Sequence, residues 1–329
     1  MTTPTGAVHP RPSESGTRVT YPAAVDPFAR RVDGWYIDPL VAIARRGVGR
    51  DISGARRPGR ALIRTPSFEL HAAERLYIRH GLREAEIDDG LAERIRIELV
   101  EAGWISGSDL FERILVGIVL SMNDAPLAAW ELFYRNQRRA LRRHLDGTTP
   151  GPRDGDLAQF ARIYDHADAL VPRFGSVLEV GSCFGFLALR LAERRDRRVT
   201  ASDVCAPAMR LVGLMAPKLG IRLDTRTFDA RCIAAPDGSA DTVVLVHLLE
   251  HLTSEEGDRA LAEATRVARH RVIIAVPFED VPTEMYGHRR IFTHSDLEVL
   301  GHGFASGWQS RVEDAEGGWL ILDRRHDIV

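Results

Sequence analysis

The sequence contains few cysteines and has no long apolar run. Its 329 residues include only Cys183, Cys205 and Cys232. Three cysteines are too few and too poorly spaced for a disulfide framework or a zinc site, and an odd number suits a reducing cytosol. No stretch approaches the roughly 20 apolar residues of a membrane span. The N-terminus lacks a basic segment followed by an apolar core, so we expect no signal peptide, no membrane partner and a cytoplasmic location.

The chain also lacks a strong charge of either sign. Its formal net charge is −2, which argues against a nucleic-acid-binding surface. Hydrophobic residues make up 44% of the chain and charged residues 27%, values that are ordinary for a globular protein. A chain of this length can bury a full hydrophobic core, so we expect one large domain or two modest ones.

The first 150 residues show three kinds of sequence. Residues 1–24 are rich in Thr, Pro, Ser and Gly and predict a disordered tail. Residues 25–150 predict a mainly helical region, because apolar positions recur at helical spacing over 69–78 and again over 87–100. Within this region, the Arg- and Gly-rich residues 45–60 fit either a solvated loop or a binding site for an anionic or polyhydroxylated ligand. Breaker residues at 147–152 predict the boundary of a second domain over 151–329.

After residue 150, strands and helices alternate. This pattern predicts an α/β fold, a doubly wound parallel sheet with helices on both faces. A hairpin of two further strands is expected at the C-terminal end. The predicted strands begin near 176, 197, 221, 241 and 271, and the predicted helices cover 156–170, 207–219 and 254–268.

Residues 176–187 form the most informative stretch, because an apolar strand, a Gly-containing turn and a helix follow one another. A dinucleotide-binding turn needs glycine at its first, third and sixth positions, and here Cys183 and Phe186 occupy two of them. The pattern Glu179-x-Gly181-x-Cys183-x-Gly185 instead resembles motif I of class I S-adenosylmethionine-dependent methyltransferases. Cys183 stands where that motif usually has its middle glycine.

The resemblance implies a Rossmann-like sheet of about seven strands, the last of them antiparallel, with S-adenosylmethionine as cofactor. Asp203 ends the second predicted strand, where a carboxylate accepts hydrogen bonds from both ribose hydroxyls. Asp229 follows the third strand, where the family binds the adenine amine, although a plain turn aspartate fits the pattern nearly as well. The implied cofactor-binding residues are Glu179, Gly181, Cys183, Gly185, Asp203, Asp229 and His247.

Three histidines are candidates for chemistry. Residues 247–251 have the H-x-x-E-H pattern of a zinc protease, but they directly follow a buried strand at the ligand edge of the sheet. That context favours motif IV of the methyltransferases, in which His247 lines the floor of the site, so we expect no metal. His288 lies in the segment that covers the acceptor in the family; it could act as a general base or only hydrogen-bond the loop. The catalytic candidates are therefore His247, His251 and His288.

Together these features predict an S-adenosylmethionine-dependent O-methyltransferase that acts on a hydroxyl of a small molecule or a glycan. Residues 51–60 and 65–71 resemble those of the mycofactocin oligosaccharide methyltransferases, which implies a glucose hydroxyl as acceptor. No Asn-Pro-Pro-Tyr type motif follows the fourth strand, so we expect no nucleic-acid substrate. Two alternatives remain: a non-catalytic cofactor-binding or regulatory protein, and a zinc hydrolase that uses His247, Glu250 and His251.

Overall fold

The computed structural model describes residues 25–48, 63–88, 90–147, 155–304 and 306–325. The predictions for the tail 1–24, for the segment 51–60 and for breaker residues 148–152 lie outside these ranges. None of the helices in the described part of the chain combines the length and the apolarity that crossing a bilayer requires.

A five-stranded sheet opens the described chain. Its order is β1-β2-β5-β4-β3, and only β2 and β5 run parallel. The helix predicted over 69–78 is wrong, because this segment forms an antiparallel strand pair. Phe68 and Leu70 are buried while Glu69 and His71 are partly exposed, so the segment alternates as a strand does. The strands are β1 Tyr36–Ile37, β2 Val41–Arg45, β3 Ile63–Arg64, β4 Phe68–Ala72 and β5 Leu76–His80.

Helices follow this sheet. The helix predicted over 87–100 is found as α1, which continues into a π-helical turn. Helix α2 is almost wholly buried, and α3 packs against both α2 and the second half of the chain. The helical prediction therefore holds for residues after 90 and fails for those before 80. The helices are α1 Gly90–Ile95 with its π-helical turn Arg96–Val100, α2 Ser108–Leu120 and α3 Pro126–Leu145.

The second half contains a seven-stranded sheet of order β11-β12-β10-β9-β6-β7-β8. Strands β6 to β10 are parallel, and the last strand, β12, runs antiparallel to both β10 and β11. The predicted doubly wound α/β fold is confirmed. The elements are α4 Asp156–Leu170, β6 Gly175–Val180, α5 Phe186–Ala192, β7 Arg197–Asp203, α6 Ala206–Lys218, β8 Asp224–Thr227, β9 Ala240–Val246, α7 Ser254–Val267, β10 Ala268–Val276, α8 His294–Gly303, β11 Trp308–Asp314 and β12 Gly318–Arg324.

Alternating residues of the central strands belong to two different hydrophobic clusters. Val244 and Ile273 belong to one, while Val243 and Ile274 belong to the other. Because successive side chains of a strand point to opposite faces, each face of the sheet has its own core. The first cluster also includes Trp130 and the core of the N-terminal part. That part therefore packs on one face of the seven-stranded sheet, and the boundary near residue 150 stays a prediction.

His80 links the N-terminal sheet to α2 from a fully buried position. The amide of Leu82 donates to Nδ1 over 3.3 Å, so this nitrogen carries no proton. Nε2 then donates to the Ser121 hydroxyl at 2.7 Å, and that hydroxyl donates to the carbonyl of Ile118. Burial, together with the positive charges of Arg45 and Arg46, lowers the pKa of His80 to about 3.

We expect His80 to make the protein less stable in mild acid. An unfolded chain binds a proton at this residue below about pH 6.5, and the folded chain excludes it, so the free energy of unfolding falls as the pH falls from there toward 3. The slope from this one group approaches about 1.4 kcal/mol per pH unit. In urea unfolding at several pH values, His80→Gln should lose this slope and exposed His302→Gln should keep it. Equal slopes for the wild type and His80→Gln would contradict the assignment.

Candidate active site

The turn between β6 and α5 has a backbone path that favours glycine. Gly181, Cys183 and Gly185 have φ angles of +81°, +47° and +71°. A Cβ at 181 would lie 3.0 Å from Leu248, and a Cβ at 185 would lie 2.8 Å from Val212. Cys183 occupies the left-handed conformation that a glycine would readily take. The departure from the family pattern therefore adds a side chain in a backbone conformation that suits glycine.

The end of strand β7 holds this turn in place. The carbonyl of Ser202 accepts hydrogen bonds from the amides of Gly181 and Ser182, both at 2.9 Å. The Asp203 carboxylate accepts one amide from Cys183 at 2.9 Å and another from Cys205 at 2.8 Å. Each carboxylate oxygen has a second lone pair, so Asp203 can still accept hydrogen bonds from two hydroxyls. The structure thus brings together the predicted turn and the predicted ribose carboxylate.

Glu179 lies beneath the turn and is only 4% exposed. Among the described residues, its Oε2 has no hydrogen-bond partner. The pKa of Glu179 is raised to about 7, mainly by burial and to a smaller extent by the charge of Asp203, against the opposing effect of hydrogen bonds from Ser182 and from the amide of Ala188. A buried acceptor without a donor fits a ligand that supplies one, such as an ammonium group.

The carboxylate of Asp229 forms an ion pair with Arg231. The amide of Phe228 donates to the carbonyl of Asp203 at 3.2 Å, so Asp229 follows β8 at the expected edge. However, Arg231 makes a two-point contact with its carboxylate, at 2.9 Å from Oδ1 and 2.5 Å from Oδ2. The hydrogen bond from Arg231 lowers the pKa of Asp229. This contact fits the plain turn aspartate that the sequence left open, and binding of the adenine amine by Asp229 stays a prediction.

The three candidate histidines lie around one buried carboxylate. His247 directly follows β9 with φ +53°, and its Nδ1 is 3.1 Å from Oε1 of Glu250, outside hydrogen-bond geometry. The rings of His251 and His288 meet edge to face with their centroids 4.9 Å apart. The amide of Arg289 donates to the carbonyl of Glu250 at 2.7 Å, which joins the loop after β10 to the segment after β9.

Each of the two paired histidines is oriented by a partner at Nδ1. His288 Nδ1 lies 2.8 Å from Oε2 of Glu279, and His251 Nδ1 lies 3.3 Å from the carbonyl of Gly287. Burial lowers the pKa of His251, although Glu250 opposes this. Burial tends to raise the pKa of Glu279, yet hydrogen bonds from Thr283 and His288 hold it below its usual value. Sequence reasoning missed Glu279; its only signal is its place just after β10 at the ligand edge.

The N-terminal part forms a wall of this site. Tyr134 of α3 donates to the carbonyl of Phe184 within the turn at 2.8 Å. Trp130 and Phe133 contact the ring of Phe184, so an aromatic cluster on α3 supports the turn. From the second half of the chain, the ring of Phe160 on α4 lies 5.8 Å from that of His247. The region whose role the sequence left open therefore positions the turn.

The chain is similar to one protein family and to several solved structures. Residues 178–276 match the family profile described as "Methyltransferase domain". No curated protein matches the chain. Among solved structures, the chain is similar to a SAM-dependent methyltransferase from Aquifex aeolicus, with 18% identity over 48% of this chain and 85% of that one and a TM-score of 0.39. It is also similar to magnesium protoporphyrin IX methyltransferase from Synechocystis PCC 6803 with bound SAH, with 15% identity over 57% and 94% and a TM-score of 0.43. These two similarities assign no activity to the chain.

The profile match assigns residues 178–276 to a methyltransferase domain, and its cofactor is S-adenosylmethionine. The residues present fit that molecule in three respects. The turn has no Cβ at 181 or 185, and the carboxylate of Asp203 contacts it. The buried Oε2 of Glu179 has no hydrogen-bond donor among the described residues, so it can accept one from a ligand. The carboxylate of Asp229, held by Arg231, is the one predicted contact that fits less well.

The turn supplies a matched pair of glycines for a test. Gly185 and Gly220 both have φ +71°, but only at Gly185 would a Cβ meet another residue. The conformation alone costs an alanine about 1–2 kcal/mol, and the clash with Val212 adds about 1–3 kcal/mol. We expect Gly185→Ala to lower the free energy of unfolding more than Gly220→Ala, and to weaken binding of S-adenosylhomocysteine, which Gly220→Ala should leave intact. Equal effects of the two variants would show that the turn tolerates a side chain.

Proposed function

We propose that this protein is an S-adenosylmethionine-dependent O-methyltransferase acting on a hydroxyl of a small molecule or a glycan. One observation carries the proposal: the turn at 181–185 and the histidine cluster share one edge of the sheet. Strand β9, which leads to His247, pairs directly with β6, which leads to the turn. Leu248 comes within 3.0 Å of where a Cβ at 181 would be. A group that handles protons thus lies beside the place where a methyl donor binds.

In this proposal the turn and the two acidic residues hold the cofactor. Asp203 binds the ribose hydroxyls, Glu179 attracts the ammonium of the amino-acid tail, and Gly181, Cys183 and Gly185 line the path between them. When bound, S-adenosylmethionine supplies a methyl group activated by its sulfonium. The protein has two further tasks: to align the acceptor oxygen with that methyl group and to exclude water.

A hydroxyl acceptor must lose its proton as its oxygen is methylated. We assign that proton to His247, because it follows the strand next to the turn and its side chain, 23% exposed, is more accessible than that of His288 at 8%. The carboxylate of Glu250, 3.1 Å from Nδ1, stabilises the imidazolium that forms. A base in reach of the acceptor contributes roughly 10²–10⁴-fold in rate. His251 and His288 lie next to it and line the acceptor side.

The acceptor class follows from the N-terminal resemblance. Residues 51–60 and 65–71 are similar to those of mycofactocin oligosaccharide methyltransferases, which favours a glucose hydroxyl of that glycan. Within the described part of this segment, Thr65 and Ser67 both bind the carboxylate of Glu98, with Ser67 Oγ at 2.7 Å. These contacts give residues 65–67 a structural role within the N-terminal part. The small net charge of the chain supports an uncharged acceptor over a nucleic acid.

Calorimetric titration with S-adenosylhomocysteine tests the cofactor assignment. Asp203→Ala should weaken binding by at least about 10-fold, because a charged acceptor of hydroxyl hydrogen bonds is lost. Asp203→Asn, which keeps one oxygen for the loop amides, should still bind more weakly than the wild type. Asp196→Ala, at the opposite end of β7, is the control and should bind normally. Unchanged affinity in both Asp203 variants would remove Asp203 from the cofactor site.

The acceptor needs a test in cells. We expect glycans from cells that express the protein to be heavier by one methyl group than glycans from cells without it, and the added methyl to carry label from methyl-labelled methionine. His247→Gln should reduce this methylation strongly while leaving calorimetric binding of S-adenosylhomocysteine in place. A methyl difference confined to non-glycan molecules would overturn the glycan assignment, and no difference in any molecule would overturn O-methyl transfer.

A further inference from the structure

Three metal-ligating side chains converge beside the candidate acceptor site. Glu250, His251 and His288 each offer one ligand atom, and these atoms all lie within 4.8 Å of one another. They come from two segments that the fold joins, the short stretch after β9 and the loop after β10. His247 and Glu250 belong to the H-x-x-E-H pattern, but the structure brings His288 rather than His247 into this group.

The carboxylate of Glu250 is buried and has no hydrogen-bond donor among the described residues. The residue is 0% exposed, and the lack of a donor applies to both carboxylate oxygens. Nδ1 of His247 lies 3.1 Å from Oε1 of Glu250 but without hydrogen-bond geometry. Burying a carboxylate without a donor is costly unless a cation balances it. A cation bound at this cluster would therefore balance the buried carboxylate of Glu250.

The two histidines are oriented as metal ligands usually are. The carbonyl of Gly287 can only accept, so Nδ1 of His251 carries the proton and donates it. The carboxylate of Glu279 accepts in the same way from Nδ1 of His288. In neutral rings both Nε2 atoms then keep a free lone pair. A histidine that binds a metal typically donates its other N–H to a carboxylate or a backbone carbonyl, and both partner types occur here.

We propose that Glu250, His251 and His288 bind a divalent transition-metal ion with a coordination position open toward the acceptor. Two imidazoles and one carboxylate form the donor set of catalytic zinc sites and of non-haem iron(II) sites. Magnesium and calcium prefer sites made wholly of oxygen, so they fit this cluster less well. The sequence-based expectation of no metal rested on the context of residues 247–251 and did not include His288.

The role of the ion rests on the proposed function. An acceptor hydroxyl bound at the open position has a lowered pKa, because the ion withdraws electron density from its oxygen. The hydroxyl proton passes to His247, and the oxygen lone pair forms the new C–O bond. The C–S bond of the methyl donor breaks, and its electron pair stays on sulfur as the neutral thioether. No oxidant or reductant takes part.

Cobalt(II) titration tests the site without any methyl transfer. The full chain, stripped with a chelator, should bind one Co²⁺ and develop visible d–d absorption typical of nitrogen and oxygen ligands. Glu250→Gln and His288→Ala should weaken binding at least about 100-fold, and Glu279→Gln, which removes only the partner of His288, about 10- to 100-fold. The control is His294→Ala, an exposed histidine beside Asp314 and Glu298, which should bind as the wild type does.

Thermal unfolding separates a metal ligand from a structural residue. Co²⁺ should raise the Tm of the wild type and leave that of Glu250→Gln unchanged. Without metal, Glu250→Gln should be at least as stable as the wild type, because the substitution removes a buried carboxylate that has no hydrogen-bond donor among the described residues. The proposed site would be overturned if metal-free Glu250→Gln unfolds at a clearly lower temperature than the metal-free wild type. It would also be overturned if the wild type binds no Co²⁺, or if Glu250→Gln and His288→Ala bind Co²⁺ as tightly as the wild type does. Asp203→Ala should keep Co²⁺ binding, so a failure of the cofactor site and a failure of the metal site are distinguishable.

Discussion

The contact between the Asp203 carboxylate and the turn at 181–185 is the interaction on which the site depends. The turn runs through left-handed conformations that an ordinary peptide avoids, and the amides of Cys183 and Cys205 are held by the two oxygens of one side chain. The same carboxylate is the proposed ribose acceptor. Asp203 therefore has a structural task before any ligand arrives, and the shape of the turn and its capacity to bind a nucleoside are linked.

The N-terminal part also stabilises this turn. Its core is continuous with one face of the seven-stranded sheet, and Tyr134 donates to the backbone of Phe184 within the turn. Burial raises the pKa of the Tyr134 hydroxyl well above its usual value, so this donor keeps its proton across the ordinary pH range. The N-terminal helices therefore help to hold the turn in place.

The sequence was most informative where local pattern and tertiary role agree. A strand buried on both faces has a continuous apolar run, so the bounds of β9 were predicted within one residue. Residues 69–78 have a spacing that suits a helix as well as a strand, and pairing with a neighbouring strand decided between them. The partners of the site residues could not be predicted in this way. The contacts of Arg231 with Asp229 and of Glu279 with His288 depend on side-chain geometry, which the periodicity of a sequence does not predict.

A crystal structure of the complex with S-adenosylhomocysteine tests the central claim most directly. The account predicts the ribose hydroxyls within hydrogen-bond distance of Asp203, the amino-acid tail near Glu179, and the sulfur facing His247 across the edge of the sheet. A nucleoside bound away from the turn at 181–185, or a turn closed by its own side chains in the presence of saturating ligand, would contradict it.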